Sequence, residues 1–231
     1  INLCSEESTG FAMSTNNLAF KFMKQVNKEN IIFSPLSITY LFGTLLPGSN
    51  NVTFSEIQET FNFSPTESIH LESTKETLNE IRSLNGLRIQ NNIWMDQRFN
   101  PMPQFKNISK KYFNTELEST DFLNQPELEE SKINQLIEKE TNNKIKNIIP
   151  SGSITKNTAL ILTNTIYFKD NWETGFNKLL TRDMPFFVTS NMQIKVPMMS
   201  IRNTSFSYYK NSELQIIKLP YQNSSICMII I

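Results

Sequence analysis

Nucleophilic, acid–base and metal chemistry draw mainly on histidine, cysteine and clustered carboxylates, and this chain of 231 residues is poor in the first two. It has one histidine, His70, and two cysteines, Cys4 and Cys227. His70 stands in the polar stretch Glu67-Ser68-Ile69-His70-Leu71-Glu72, and no serine lies in a G-x-S-x-G turn. Those neighbours predict a solvated surface histidine, so no catalytic residue and no metal ligand is assigned. Cys4 and Cys227 sit near opposite ends, and two cysteines do not make a disulfide framework. Free thiols fit a reducing compartment without proving one. Lys106, Lys110 and Lys111 form a basic face that suits a polyanion. With 22 basic against 22 acidic residues, however, that face reads as solvated, and no cofactor is assigned. Zero net charge likewise gives no reason to expect a nucleic-acid or membrane partner.

The elements that carry these positions are densely written. Hydrophobic residues make up 39% of the chain and 17 are phenylalanine, enough for a sizeable core. No apolar run reaches transmembrane length. Ile1 to Glu7 has neither a basic n-region nor an apolar h-region, so no signal peptide is visible and localisation stays open between extracellular and cytoplasmic. Asparagine, about one residue in eight, reads as a compositional bias of the source, and the sequons at Asn51, Asn62, Asn107, Asn203 and Asn223 follow from it. No linker, charge block or repeat divides the chain, which predicts a single domain over residues 1–231.

Leu18, Phe22 and Val26 recur at helical spacing. Ile31-Ile32-Phe33 reads as a short strand, after which Ser34 is an N-cap and Pro35 opens a buried helix that Pro47-Gly48 ends. Thr53-x-x-Glu56, with Val52 and Ile57 as staple, and Ser64-Pro65-Thr66-Glu67 read as capping boxes. Leu87, Ile89, Ile93 and Met95 alternate as in a strand, and Asn91 breaks its apolar face once. Phe105, Ile108, Tyr112 and Phe113 mark a helix, and Leu117 to Phe122 a strand. Ile133, Leu136 and Ile137 give a helix with one narrow stripe, which lies on a surface. Thr158 to Phe168 is nearly continuous in apolar and β-branched residues and predicts a strand covered on both faces, central in a large sheet. Strand-like segments follow at 184–188, 193–199, 206–209, 214–219 and 226–231. Helices first and strands later indicate an α+β fold.

At this point five segments carry a resemblance. Ile31-Ile32-Phe33-Ser34-Pro35-Leu36-Ser37-Ile38 resembles the strand-to-helix motif of the serpins, the serine protease inhibitor family. Leu162 to Trp172 is similar to that family's third central-sheet strand and the tryptophan after it. Ile133-Asn134 through Thr141, Lys144-Ile145 and Ile148-Ile149-Pro150 resembles its surface helix and following turn. Val196-Pro197-Met198-Met199 and Leu219-Pro220-Tyr221 resemble two later signatures, in the expected order. Each is short, but five collinear matches across nearly the whole chain identify it as a member of the family.

The resemblance implies a serpin fold, with helices packed around a large central β-sheet plus smaller sheets. It implies inhibition of a serine protease by suicide-substrate trapping, in which a cleaved reactive loop inserts as a new strand into that sheet. The alternative within the family is a non-inhibitory carrier, chaperone or storage protein. Ser34, Pro35, Ser37 and Asn164 align with the shutter under the middle of the sheet, and Trp172 with the breach where the loop enters. Asn164 also carries a physical signal, because an amide inside an apolar strand must find partners. With one histidine and no nucleophile motif, the chain is not read as an enzyme. The serpin pattern stops within the apolar run Ile226 to Ile231, before the reactive loop and C-terminal strands. The expectation is therefore an incomplete domain, a portion of a longer product or one accompanied by the missing C-terminal segment, with no reactive site in this chain.

Overall fold

The computed structural model describes residues 9–26, 30–222 and 225–231; Cys4 and the sequon at Asn223 lie outside them. The chain forms two compact units, residues 1–168 and 169–231.

Among its described residues the first unit is built from six α-helices, one short 3-10 helix and three strands. Helix α1 spans Thr9–Gln25, α2 Pro35–Leu45, α3 Asn51–Phe61 and α4 Glu67–Ser83. Strand β1 (Leu87–Asp96), α5 (Pro103–Phe113), β2 (Leu117–Thr120), α6 (Pro126–Glu140) and β3 (Leu160–Phe168) follow. The strands form one sheet in the order β2-β1-β3, with β1 parallel to β2 and antiparallel to β3.

Register decides what each sheet face holds. Asn91 stands opposite Asn164, and Asn92 opposite Thr163. Side chains alternate across a strand, so Ile89, Asn91 and Ile93 share a face with Leu162, Asn164 and Ile166, while Gln90, Asn92 and Trp94 share the other with Ile161, Thr163 and Thr165. The first face meets α2, and its core gathers Phe11, Tyr40, Leu46, Phe61, Phe63, Leu78, Ile89 and Phe113. The second lies under α6, where Trp94 packs with Phe122, Ile133, Ile137 and Ile154. Ile133 and Phe122 are fully buried, each contributing about 1.5–3 kcal/mol by removal from water.

Several sequence expectations meet this structure directly. The surface helix with a narrow stripe is α6, with Ile133 and Ile137 buried and Leu136 half-buried. The apolar run of β3 does reflect helices on both faces. Among the described strands, however, the central one is β1, and β3 has β1 as its single partner. Helix coverage generates the apolar signal whatever the strand order.

Ile31-Ile32-Phe33 forms no strand: Ile32 is fully exposed, and Phe33 is held by its ring against Phe22 at 4.6 Å. Both capping boxes are displaced. Helix α3 starts three residues early, with Asn50 as N-cap and its side chain accepting from Asn51 N at 2.8 Å, and Val52 is exposed rather than stapled. Helix α4 starts at Glu67, and Ser64 instead accepts from Thr66 N at 3.2 Å.

Asparagine richness has a structural use in this chain. Asn62 and Asn114 end α3 and α5 in the left-handed region, the place glycine usually takes. The chain has only six glycines, and asparagine bears left-handed backbone better than other side-chain-bearing residues.

Among its described residues the second unit holds five strands and one short 3-10 helix, Lys178–Leu180. A hairpin joins β4 (Arg182–Thr189) to β5 (Met192–Met198), and β6 (Ser207–Lys210), β7 (Gln215–Pro220) and β8 (Cys227–Ile230) form an antiparallel sheet in that order.

Candidate functional site

The site begins at the start of α2. Ser34 adopts extended backbone at φ −112°, and its Oγ accepts the Ser37 N–H at 3.1 Å. Pro35 occupies the first helical position, where its missing N–H costs nothing. One hydroxyl and one ring thus fix where α2 begins and how it runs beneath the sheet.

Asn164 lies on the face of β3 that meets α2. Its Nδ2 donates to Asn91 Oδ1 at 2.6 Å, across the β1–β3 ladder. Asn91 is 1% exposed, and its Nδ2 donates to Thr44 Oγ1 on α2 at 3.2 Å. Thr44 in turn donates to Tyr40 O at 2.8 Å. A polar chain therefore runs from β3 through β1 into α2 inside an otherwise apolar layer. One acceptor in it is unmet: the buried Asn164 Oδ1 has no hydrogen-bond partner among the described residues. Such an atom costs desolvation energy until a donor arrives.

These contacts sort the sequence-derived residues. Ser34 and Ser37 close on each other, and among the described residues no hydrogen bond joins them to Asn164. The link between helix and sheet is made instead by Thr44 and Asn91, which sequence reasoning did not select. Asn91 did leave a signal, as the single break in an apolar face. Thr44 left none, because a threonine in a buried helix usually bonds its own backbone.

Trp172 lies in the second unit. Its ring stacks on Tyr221 with centroids 4.5 Å apart and meets Phe176 edge-on at 6.2 Å, and the two backbones form a bridge at Trp172 and Tyr221. The aromatic is half-buried, anchoring the start of that unit to the end of β7.

His70 corrects the sequence expectation outright. It is 3% exposed, on the face of α4 that also buries Thr74, Thr77, Leu78 and Ile81. Spacing along the helix, rather than the polarity of adjacent residues, decides which face a side chain takes. Its Nε2 donates to Gly43 O at 3.4 Å, and its ring sits 4.5 Å from Phe63 and 6.2 Å from Phe113. Burial lowers its pKa to about 4, so it is neutral at physiological pH.

Nearby, the Tyr40 hydroxyl donates to Phe113 O and receives Arg82 at 2.7 Å. At the far end of β1, the fully buried Asp96 accepts from Arg98 Nε, from Arg98 N at 3.0 Å and from Phe122 N at 2.9 Å. The Arg98 hydrogen bond holds that carboxyl below its usual range.

The basic face of α5 is engaged locally. Lys110 pairs with Glu116 at 2.8 Å, and Lys111 donates to Tyr112 OH at 2.8 Å. Among the described residues no cluster of His, Cys, Asp and Glu forms a metal site, and no helix is long and apolar enough to cross a membrane.

Comparison with known proteins places this architecture. A family model described as serpin (serine protease inhibitor) matches residues 13–231. A serpin-like protein of Methanosarcina acetivorans is 32% identical over 240 residues, covering 100% of this chain and 56% of its own length. Human Serpin B3 is 31% identical over 251 residues, covering 100% of this chain and 63% of its own. The solved structure of cleaved Serpin 42Da matches with a TM-score of 0.85 at 28% identity, over 96% of this chain and 60% of that one. Cleaved kallistatin complexed with heparin matches with a TM-score of 0.86 at 25% identity, over 96% of this chain and 68% of that one. The chain thus spans less than two thirds of the length of these curated relatives.

Proposed function

Because this chain belongs to the serpin family, we propose that it is the strand-accepting part of a serine protease inhibitor that works by suicide-substrate trapping. The observation that carries the reading is the amide pair Asn91–Asn164. It lies within a sheet whose β3 has one described partner, and Asn164 Oδ1 is an unmet acceptor.

In this account a chymotrypsin-like protease attacks a bait loop, and the acyl bond forms before the loop's cleaved end is drawn into the sheet beside β3. A new strand there gains a ladder of main-chain hydrogen bonds and covers apolar surface, which supplies the driving force. Ser34, Pro35 and Ser37 act by fixing α2 under the sheet, and Asn164 by holding β3 in register with β1 until the strand arrives. Trp172, stacked on Tyr221, acts at the point of entry. The bait loop comes from a segment that these 231 residues do not contain, and both units belong to one serpin domain. The protein borrows its target's catalytic groups and needs no nucleophile of its own.

The test is incubation of the full-length protein, bait loop included, with chymotrypsin-like proteases, followed by denaturing electrophoresis. An SDS-resistant band at the summed mass is expected. Clean digestion across a broad protease panel, with no covalent band, would replace the inhibitory reading with a non-inhibitory one.

A further inference from the structure

The two consecutive asparagines of β1 point to opposite faces of the sheet, and each is tied to β3. Asn91 does so on the α2 side, through Asn164. Asn92 does so on the α6 side through a group the proposed reaction does not use: Glu140, the last residue of α6. Glu140 Oε1 accepts from Asn92 Nδ2 at 3.2 Å, and Glu140 Oε2 accepts from Thr165 Oγ1 at 2.8 Å. One carboxylate therefore bridges β1, β3 and the end of α6.

The register makes this bridge diagonal. Asn92 stands opposite Thr163, so Thr165 lies two residues farther along β3 on the same face. A strut set diagonally resists both separation of the strands and sliding of one past the other. Both bonds are charge-assisted, because a carboxylate receives a neutral amide and a neutral hydroxyl. Among the described residues no cation lies within ion-pair distance of Glu140, so its acceptor capacity is free for the strands. A cavity of about 590 Å³, lined by Leu136, Lys139, Glu140 and Thr165 among others, opens beside the strut.

The helix carrying the strut is itself braced. Asn134 exchanges both amide bonds with Ile149, Oδ1 accepting from its N–H and Nδ2 donating to its carbonyl, each at 3.0 Å. Glu130 Oε2 accepts from Gly152 N at 2.9 Å. The segment after α6 is thereby strapped along the helix, which stiffens the base from which Glu140 reaches the sheet.

We propose that Glu140 is a positioning residue that fastens β1, β3 and α6 into one block, so that the sheet opens on the side of β3 away from β1 and not between β1 and β3. The inference rests on the strand-accepting role given above, and it defines where the new strand can enter. Without the strut, β3 can part from β1, offering a second and unproductive opening.

The test uses the full-length protein carrying Glu140→Ala, Glu140→Gln or Thr165→Val, with site-resolved amide hydrogen exchange. Thr165→Val is expected to speed exchange of the β1–β3 ladder amides flanking Asn92 and Thr165 by about tenfold, the effect of losing one such bond, and Glu140→Ala, which removes both bonds, by more than that. Amides of α1 and α4 stay at wild-type rates. Glu140→Gln, which keeps one acceptor oxygen, gives a smaller increase. Unchanged ladder exchange, or an equal rise throughout the first unit, would overturn the proposal. In a trapping assay the Ala variant is expected to yield more cleaved and less trapped product. Should the wild-type protein form no trapped complex at all, the inhibitory reading fails while the exchange result still decides the strut.

Discussion

Protonating His70 inside the folded chain places a charge between Phe63 and Phe113, with the Gly43 carbonyl as its one described side-chain partner. Burial therefore holds the folded pKa at about 4, against an ordinary value of 6.5. A depressed histidine means that the unfolded chain binds the proton first as pH falls. Stability is intact above pH 6.5 and is lost progressively between pH 6.5 and 4. The full loss amounts to about 3 kcal/mol, of which about 2 kcal/mol falls between pH 7 and 5. That is a large share of the roughly 5–15 kcal/mol that holds a domain together. Urea denaturation across this range, on wild type and on His70→Phe, isolates the effect because carboxylate titrations are common to both. The variant's stability is expected to fall by about 2 kcal/mol less than wild type's between pH 7 and 5. The imidazole proton resonances of folded wild-type protein give the same answer independently, with a midpoint near 4. A midpoint near 6.5, or parallel stability profiles for the two proteins, would refute the burial argument.

Perturbations at four further sites follow from the same contacts. Asn91→Ala deletes bonds to both Asn164 and Thr44, whereas Asn164→Ala deletes one bond and also removes an unmet oxygen; the first is expected to cost about 1 kcal/mol more by chemical denaturation. Asn164→Ala should in addition change the rate of latency or polymerisation, and unchanged kinetics would count against its role in strand insertion. Ser34→Ala removes the cap of α2 and is expected to lower stability by about 1 kcal/mol, with Ser34→Thr restoring most of it in thermal melts. Asp96 is held below the usual carboxylate range chiefly by Arg98, so its contribution is present above the unfolded value near 4 and is lost as pH falls through the folded value. Asp96→Asn is expected to flatten that acid limb of the stability profile while lowering stability at pH 7.

Much of this molecule was legible before its structure. Strands and helices with one-sided patterns were found because a period of 2 or 3.6 is written directly in β1 and α5. The Ser34-Pro35 start of α2 was legible because cap and proline act within four residues. What escaped was set by distance in sequence. Thr44, Asn91 and Asn164 meet only through the β1–β3 register, and Glu140 reaches Thr165 across 25 positions. His70 was misplaced because its neighbours in sequence are polar, while its neighbours on the helix face are not. The apolar run of β3 reported its two covering helices and carried no information on strand order. Asparagine reads in the sequence as a bias of composition, and the fold uses it at the left-handed ends of α3 and α5.

The central claim is that the sheet accepts a strand beside β3, and its most direct measurement is the melting temperature of the protein before and after limited cleavage of its bait loop. Insertion adds ladder hydrogen bonds and buries apolar surface on the side of β3 away from β1, so cleavage is expected to raise the melting temperature sharply while the fragments stay associated. A melting temperature that is unchanged or lowered by cleavage would contradict the account.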